Sequence, residues 1–301
     1  MTGTRALFIV NRHSRSGRED LSAVVRLLEE HGFDVRARPV DRSGDVADAI
    51  REEADGVDVV ILAGGDGTMN AAADALVECQ LPLGILPTGT ANDLARTLGI
   101  PVSVPEALEV IIEGHLRAID LGRVNGKHFF NVASIGLSAE LIRHHTAERK
   151  RRWWIFAYVF SIADAYRATV PFRALVRCNG RTVRLRAIQI AVGNGRHYGG
   201  GMTVSEHAAI DDEHLDIYVI KPISFWALIA LFPKLRWGRM QGSEAISVMR
   251  GSEIEIRTRR PMPVNTDGEV TTSTPARFEV VPKVLAVFVP ASEEEAGHAA
   301  H

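Results

Sequence analysis

Two glycine loops decide the fold of this chain: GGDGTMN at 64–70, entered from the apolar run Val57–Ala63, and LPTGTANDLARTLGIP at 86–101, entered from Leu83–Leu86. Adjacent glycines let a backbone turn sharply and approach a ligand, and the amides opening the next helix favour a phosphate group. That chemistry is nucleotide polyphosphate binding; the other reading is a glycine turn that serves packing alone. The first loop is not a Walker A sequence, because no Gly-Lys-Ser/Thr follows, and it is not GxGxxG. In the second loop Asn92 or Asp93 can cap a new helix, and Thr90 can offer a hydroxyl to a phosphate. Two such loops after neighbouring strands meet over the carboxyl ends of a parallel sheet, where ligands bind in that architecture.

Around the loops, short apolar runs alternate with amphipathic ones. Ala6–Asn11, Phe33–Val40, Val57–Ala63 and Leu83–Leu86 read as buried parallel strands, and 18–31, 44–54, 67–79 and 104–114 as helices. This is an α/β, doubly wound nucleotide-binding domain over residues 1–118. From Ala118 the texture becomes β-rich, with strands expected at 118–124, 128–134, 171–178, 182–193, 214–220, 252–258, 276–281 and 284–289. A helix-like stretch interrupts them from Ser138 to Tyr166. The expectation is a β-sandwich domain over 119–290, followed by a frayed tail at 291–301.

Composition narrows the classes further. The 301 residues hold 35 Lys+Arg and 37 Asp+Glu, and 46% are hydrophobic, so the chain can build real cores and is no generic nucleic-acid coat. The charge is uneven: residues 1–118 carry 11 basic and 19 acidic side chains, 119–200 carry 14 and 4, and 201–301 carry 10 and 14. The basic middle leaves room for an anionic partner such as a lipid surface. Cys79 and Cys178 stand far apart with no CxxC, which points away from a disulfide framework or a zinc site and suits a reducing cytoplasm. No run reaches the ~18 apolar residues of a spanning helix.

With both loops in view, the sequence closely resembles the diacylglycerol-kinase catalytic-domain family, which includes bacterial lipid kinases, diacylglycerol kinases and sphingosine kinases. GTAND at 89–93 is one distinguishing piece, since GGDGT also occurs in NAD kinases. The resemblance runs on through Ile119-Asp120-Leu121-Gly122, Phe130-Asn131, Gly193-Asn194-Gly195, Gly199-Gly200-Gly201, Asp211-Asp212 and the second distinguishing piece, Asp267-Gly268-Glu269. It implies transfer of phosphate from Mg-ATP to a lipid hydroxyl, in a cleft between an α/β domain and a β-sandwich. By position, the nucleotide would contact Asn11, Arg12, His13, Ser14, Arg15, Val40 or Asp41, then Gly64, Gly65, Asp66, Gly67, Thr68, Met69, Asn70, Ala71, and Thr90. A structural Mg²⁺ would use the Asp212 carboxylate with the main-chain oxygens of Ala209 and His214, and Glu269 would accept the proton of the lipid hydroxyl. Phosphoryl transfer needs a phosphate cradle, charge neutralisation and an aligned base, and Asp66 and Glu269 are the carboxylates suited to metal and base. Read in isolation, Asp267–Glu269 is a solvated turn between strands, and Asp211–Glu213 an ordinary acidic turn. The chain departs from the family pattern at Arg12, Val40, Ala63, Ala71 and Glu213.

Two stretches suit a membrane. Arg149, Lys150, Arg151 and Arg152 stand before Trp153–Phe160, the composition of an interfacial anchor or of a buried helix with a basic start. Phe225–Phe232 is an unbroken apolar run, too short to span, fit for core packing, an acyl groove or the interface. The expectation is a cytoplasmic lipid kinase bound peripherally to the inner face of an anionic membrane, with no nucleic-acid partner; a homo-oligomer is among the assemblies the sequence allows. The rivals are a kinase of a soluble hydroxyl compound such as NAD, and a silent nucleotide-binding regulator.

Overall fold

The computed structural model of the chain describes residues 3–11, 22–137, 166–195, 197–198, 202–203, 210–236 and 244–291. They fall into two compact units. One takes the chain up to Leu121 and again from Val281; the other runs from Gly122 to Val280 apart from 199–201.

In the first unit β1 (Thr4–Asn11), β2 (Phe33–Val40), β3 (Val59–Gly64) and β4 (Leu83–Pro87) pair in parallel in the order β2-β1-β3-β4, and the second half of the last strand, β18 (Ala276–Phe288), joins β4. VVILAG and LGILP are buried along their whole length, as strands covered on both faces must be. The connecting helices are α1 (Ser22–Glu30), α2 (Asp45–Glu53), α3 (Asp66–Cys79), the short α4 (Asp93–Thr97) and α5 (Val104–Glu113). Right-handed crossovers, leftward from β1 to β2 and then rightward to β3 and β4, put α1 on one face and α2 and α3 on the other. Accordingly α2 packs on α3, while α1 touches α5. This is the doubly wound arrangement. Edge strand β2 is largely exposed and carries Arg36 and Arg38, which pair with Glu53 and Glu52 at 2.7 Å. Charge and Pro39 at an edge discourage pairing with another chain. β3 begins two residues later than expected, because Ala54–Gly56 forms a 3-10 turn and the Asp58 carboxylate takes the Arg5 backbone N–H at 2.9 Å.

The second unit is a sandwich. One layer is antiparallel, in the order β14 (Ile246–Gly251), β13 (Leu215–Ile220), β10 (Gln189–Gly193), β7 (Val132–Gly136), β16 (Pro263–Thr266) and β17 (Glu269–Ser273). The other holds β9 (Arg181–Ala187), β8 (Phe172–Cys178), β15 (Glu253–Thr258) and the first half of β18, with β5 (Leu116–Val124) pairing β18 and β6 (Lys127–Phe129). Phe129, Ile135, Val176, Ile190, Ile217 and Phe278 fill the space between. β11 (His197–Tyr198) and β12 (Met202–Thr203) form a small ribbon. Helix α6 (Phe225–Arg236) lies on the outer face of the six-stranded layer: Leu231 clusters with Val132, Tyr218, Ile220 and Ile246, and Leu228 with Leu137. The apolar run Phe225–Phe232 is therefore partly core, yet Trp226 on the same helix is 77% exposed. Among the described residues no helix is long and apolar enough to cross a membrane.

Several expected boundaries move, each for a local reason. The run 128–134 divides into β6 and β7, because the amides of Phe130 and Asn131 turn to the Asp267 carboxylate instead of a ladder. The run 182–193 divides at Ile188, where the chain leaves one layer for the other and the Ile188 N–H donates to Ile220 O at 2.9 Å. Conversely, 276–281 and 284–289 are one strand, kinked at Lys283, which has φ +47° and donates its N–H to the buried Asp120 carboxylate at 2.8 Å. That strand also carries the chain out of the second unit at Val281, ahead of the expected limit at 290. Strands β14, β16 and β17 were not anticipated. Most of the helix-like stretch Ser138–Tyr166, including the basic-aromatic segment, lies outside the described residues, as do 292–301 of the tail.

Candidate active site

In the first unit the register aligns the carboxyl ends of the parallel strands, with Asn11 opposite Val40 and Gly64 opposite Pro87. The expected nucleotide-contacting residues Asn11, Val40 and Gly64 thus share one sheet edge. Both glycine loops leave from that edge, and they need glycine for close approach. A Cβ on Gly64 would lie 2.5 Å from the Thr68 side chain, and one on Gly89 would lie 2.5 Å from the Gly65 Cα. The loops therefore pack backbone to backbone, and the Thr88 N–H donates to Gly64 O at 3.1 Å. Gly65 is extended and precedes α3, whose first-turn amides belong to the same loop and suit an anion.

The side chains around this edge are heavily engaged. Asn11 Nδ2 donates to Thr68 Oγ1 at 3.1 Å and to Ser43 Oγ at 3.4 Å, tying the end of β1 to α3 and to the segment after β2. Asn92 stands at the N-cap position of α4 in the left-handed region, but its side chain makes no cap bond. It accepts from Gly89 N–H at 3.0 Å and donates to Gly89 O at 3.2 Å, closing the second loop on itself. The expected cap comes from the other loop: Asp66 Oδ1 accepts the Leu94 N–H at 3.2 Å. Burial pushes the Asp66 carboxyl up, the neighbouring Asp93 carboxylate adds to the shift, and the amides of Leu94, Asp93 and Asn92 oppose it. Asp93, which the sequence offered only as a helix cap, is itself buried beside Asp66. Thr90 and Asp41 are exposed, Thr68 and Met69 buried, and Gly67, Asn70 and Ala71 half-buried. Arg12, His13, Ser14 and Arg15 lie outside the described residues.

In the second unit three motifs far apart in sequence converge. Asp267 and Gly268, with φ +47° and +102°, form the tight turn between β16 and β17. The Asp267 carboxylate accepts three backbone N–H groups, from Phe130 at 2.7 Å, Asn131 at 2.9 Å and Val132 at 3.0 Å. Asn194 donates to Phe130 O at 2.8 Å, and its own N–H donates to Asn131 O at 2.8 Å. Gly195 is close enough that an added Cβ would meet Asn131 Oδ1 at 2.6 Å. Asp267 is thus a clamp rather than a solvated turn residue, and it fixes the start of β17, where the Glu269 side chain is exposed.

In the acidic turn the Asp212 side chain is engaged within the chain. Asp212 Oδ2 pairs with Arg250 Nη2 at 2.5 Å, Asp212 Oδ1 accepts the His214 N–H at 3.0 Å, and Arg250 Nε lies 3.9 Å from Asp216 Oδ1. Glu213 holds φ +59°, the left-handed position that favours glycine. Burial raises the Asp216 carboxyl, and Arg250 opposes that shift. Ala209 lies outside the described residues, and among those described no group of three His, Cys, Asp or Glu side chains could hold a metal ion. Of the expected set, one carboxylate with two main-chain oxygens, only Asp212 and His214 are therefore among the described residues.

Comparison with known proteins now bears on these two constellations. Residues 5–124 match the model of the diacylglycerol kinase catalytic domain, and 131–289 match that of a YegS C-terminal NAD kinase beta sandwich-like domain. The chain belongs to the diacylglycerol kinase catalytic-domain family. Similar members include "Probable lipid kinase YegS-like" proteins of Stenotrophomonas maltophilia (strain K279a), 32% identical over 97% of this chain and 98% of that one, and of Klebsiella pneumoniae (strain 342), 33% identical over 90% and 91%. A diacylglycerol kinase crystal structure from Bacillus anthracis str. Sterne superposes with TM-score 0.76 at 25% identity, covering 96% of this chain and 98% of that one. Family membership makes the chain a kinase.

Proposed function

We propose that the protein is an ATP-dependent lipid kinase acting peripherally at the cytoplasmic face of a membrane, with diacylglycerol or a related lipid alcohol as acceptor. The observation that carries this reading is the apposition of Gly65 and Gly89 at the carboxyl edge of the parallel sheet, in a chain whose relatives bear lipid-kinase names. The nucleotide is held by the loop amides of Gly64 to Ala71, with Asn11, Arg12, His13, Ser14, Arg15, Val40 or Asp41, and Thr90 around it. Mg²⁺ entering with ATP would be held by Asp66, and would neutralise phosphate charge; two carboxylates as close as Asp66 and Asp93, in a site that already raises the Asp66 pKa, suit a cation. Glu269 takes the proton from the lipid hydroxyl as its oxygen attacks the γ-phosphorus and ADP departs. The Asp267 clamp positions that carboxylate by fixing the turn before it.

The test is transfer of labelled phosphate from ATP to diacylglycerol, phosphatidylglycerol, a sphingoid base and a polyprenol in vesicles, with NAD as the soluble arm. Label is expected in lipid, and Glu269→Gln is expected to lower turnover roughly 10²- to 10⁴-fold while ATP still binds. Label in NAD alone, or full activity of the variant, overturns the acceptor or the base respectively.

A further inference from the structure

In the second unit, alternation along β8 sends Ala174, Val176 and Cys178 into the core and Arg173, Leu175 and Arg177 outward. The antiparallel register then sets Arg173 directly opposite Arg186 on β9, and places Leu175 between Arg184 on β9 and Arg257 on β15. Together with Arg259, just past β15, these residues line a shallow cavity of about 560 Å³. Glu255 pairs with Arg257 at 2.6 Å. Among the described residues no carboxylate pairs with Arg173, Arg184, Arg186 or Arg259.

Like charges directly opposed on a ladder destabilise a sheet. Here Arg257 has its carboxylate in Glu255, but the opposed pair and its neighbours Arg184 and Arg259 have none among the described residues, so four guanidinium groups of the face lack a counter-charge. Guanidinium groups bind phosphate in a bidentate way, and are less strongly hydrated than ammonium. The groups without a carboxylate, Arg173 on β8, Arg184 and Arg186 on β9 and Arg259 just past β15, stand on and beside three neighbouring strands at about 4.8 Å spacing, so their charges spread over roughly 10 Å, wider than a single phosphate.

We propose that this arginine-lined face of β9, β8 and β15 docks the protein on an anionic phospholipid bilayer, its guanidinium groups meeting the phosphates of adjacent headgroups. The choice of a bilayer rests on the lipid-kinase reading; the need for an external anion does not. Its residues are other than Arg149–Arg152, which the sequence alone put forward for this contact and which lie outside the described residues.

The experiment is co-sedimentation of the full chain with phosphatidylcholine vesicles, with and without phosphatidylglycerol, at low and near-physiological salt. Binding is expected only with phosphatidylglycerol and is expected to weaken with salt. Arg173→Gln with Arg186→Gln should reduce it by roughly an order of magnitude or more. The charge-matched pair Arg26→Gln with Arg38→Gln, in the first unit, should leave it intact. Arg186→Glu controls for folding: it creates an opposite-charge pair with Arg173, so it should raise the Tm while weakening vesicle binding. Wild-type binding by the Arg173/Arg186 variant, or equal loss in the Arg26/Arg38 variant, overturns the proposal. So does saturation of the face by inorganic phosphate with no vesicle binding, which would make it a soluble-anion site. Turnover on detergent-dispersed lipid, measured on the same proteins, separates the two readings. Arginine-dependent binding without any lipid phosphorylation removes the kinase reading and keeps the docking face; lipid phosphorylation with arginine-independent binding does the reverse.

Discussion

At the scale of single residues, Asp66 and Asp267 show how one side-chain type serves opposite ends. Asp267 is bound by three N–H groups and costs the fold little as a charge, whereas Asp66 is half-buried beside Asp93 and its carboxyl is pushed up. An acid whose folded pKa is raised gives stability that is present below its unfolded pKa and lost as pH climbs through the folded value. Ionised Asp66 is therefore a burden at neutral pH. Asp66→Asn keeps an oxygen for the Leu94 N–H and removes the charge, so its Tm at pH 7 should exceed that of the wild type, the gain should shrink toward pH 4, and phosphoryl transfer should be lost. Differential scanning calorimetry across pH together with the label assay checks this; a lower Tm at pH 7 would show that the charge stabilises the loop. The sequence made Asp66 a candidate by its place in GGDGT. That Asp66 caps a helix of the other loop depends on residues 28 apart in the chain meeting.

At the scale of elements, the two loops function as one because their glycines touch. Gly89→Ala would put a methyl group 2.5 Å from the Gly65 Cα and 2.7 Å from Asn92 Oδ1. Neither neighbour is a flexible side-chain end free to swing away, since Asn92 is held by three hydrogen bonds. The loops must part, at a stability cost of about 1–3 kcal/mol, and nucleotide affinity should fall with it. Isothermal titration with ATP and chemical denaturation measure the two effects, and wild-type values in both would mean that the loops need not touch. The alternation of strands and helices was readable because β3 and β4 are buried on both faces and α5 has Pro105 near its start and Gly114 at its end. The polar strand EVTTS at Glu269–Ser273 carries no comparable signal, because it lies at the edge of its layer and most of its residues are exposed.

At the scale of the whole molecule, the N-terminal unit is not a contiguous stretch of chain. Its sheet is completed by β18, where Leu285, Val287 and Phe288 are buried beside the elements of residues 1–121. Burying each such side chain contributes about 1.5–3 kcal/mol, which together is comparable with the 5–15 kcal/mol that stabilises a typical domain. A fragment ending at Leu121 keeps both glycine loops but should fail to fold stably or to bind ATP; a cooperative melt with ATP-dependent stabilisation of that fragment would refute the requirement. By itself the sequence determined the fold class, the two loops and the family, because glycine spacing, burial periodicity and short motifs are local properties of the chain. Only the tertiary structure decided that Asp267 is a clamp on Phe130–Val132, that Arg250 occupies the Asp212 turn, that β18 belongs to both units, and that Arg173 faces Arg186. Each of these depends on residues brought together from distant positions by strand register, and register is set by the packing of whole layers rather than by any segment alone.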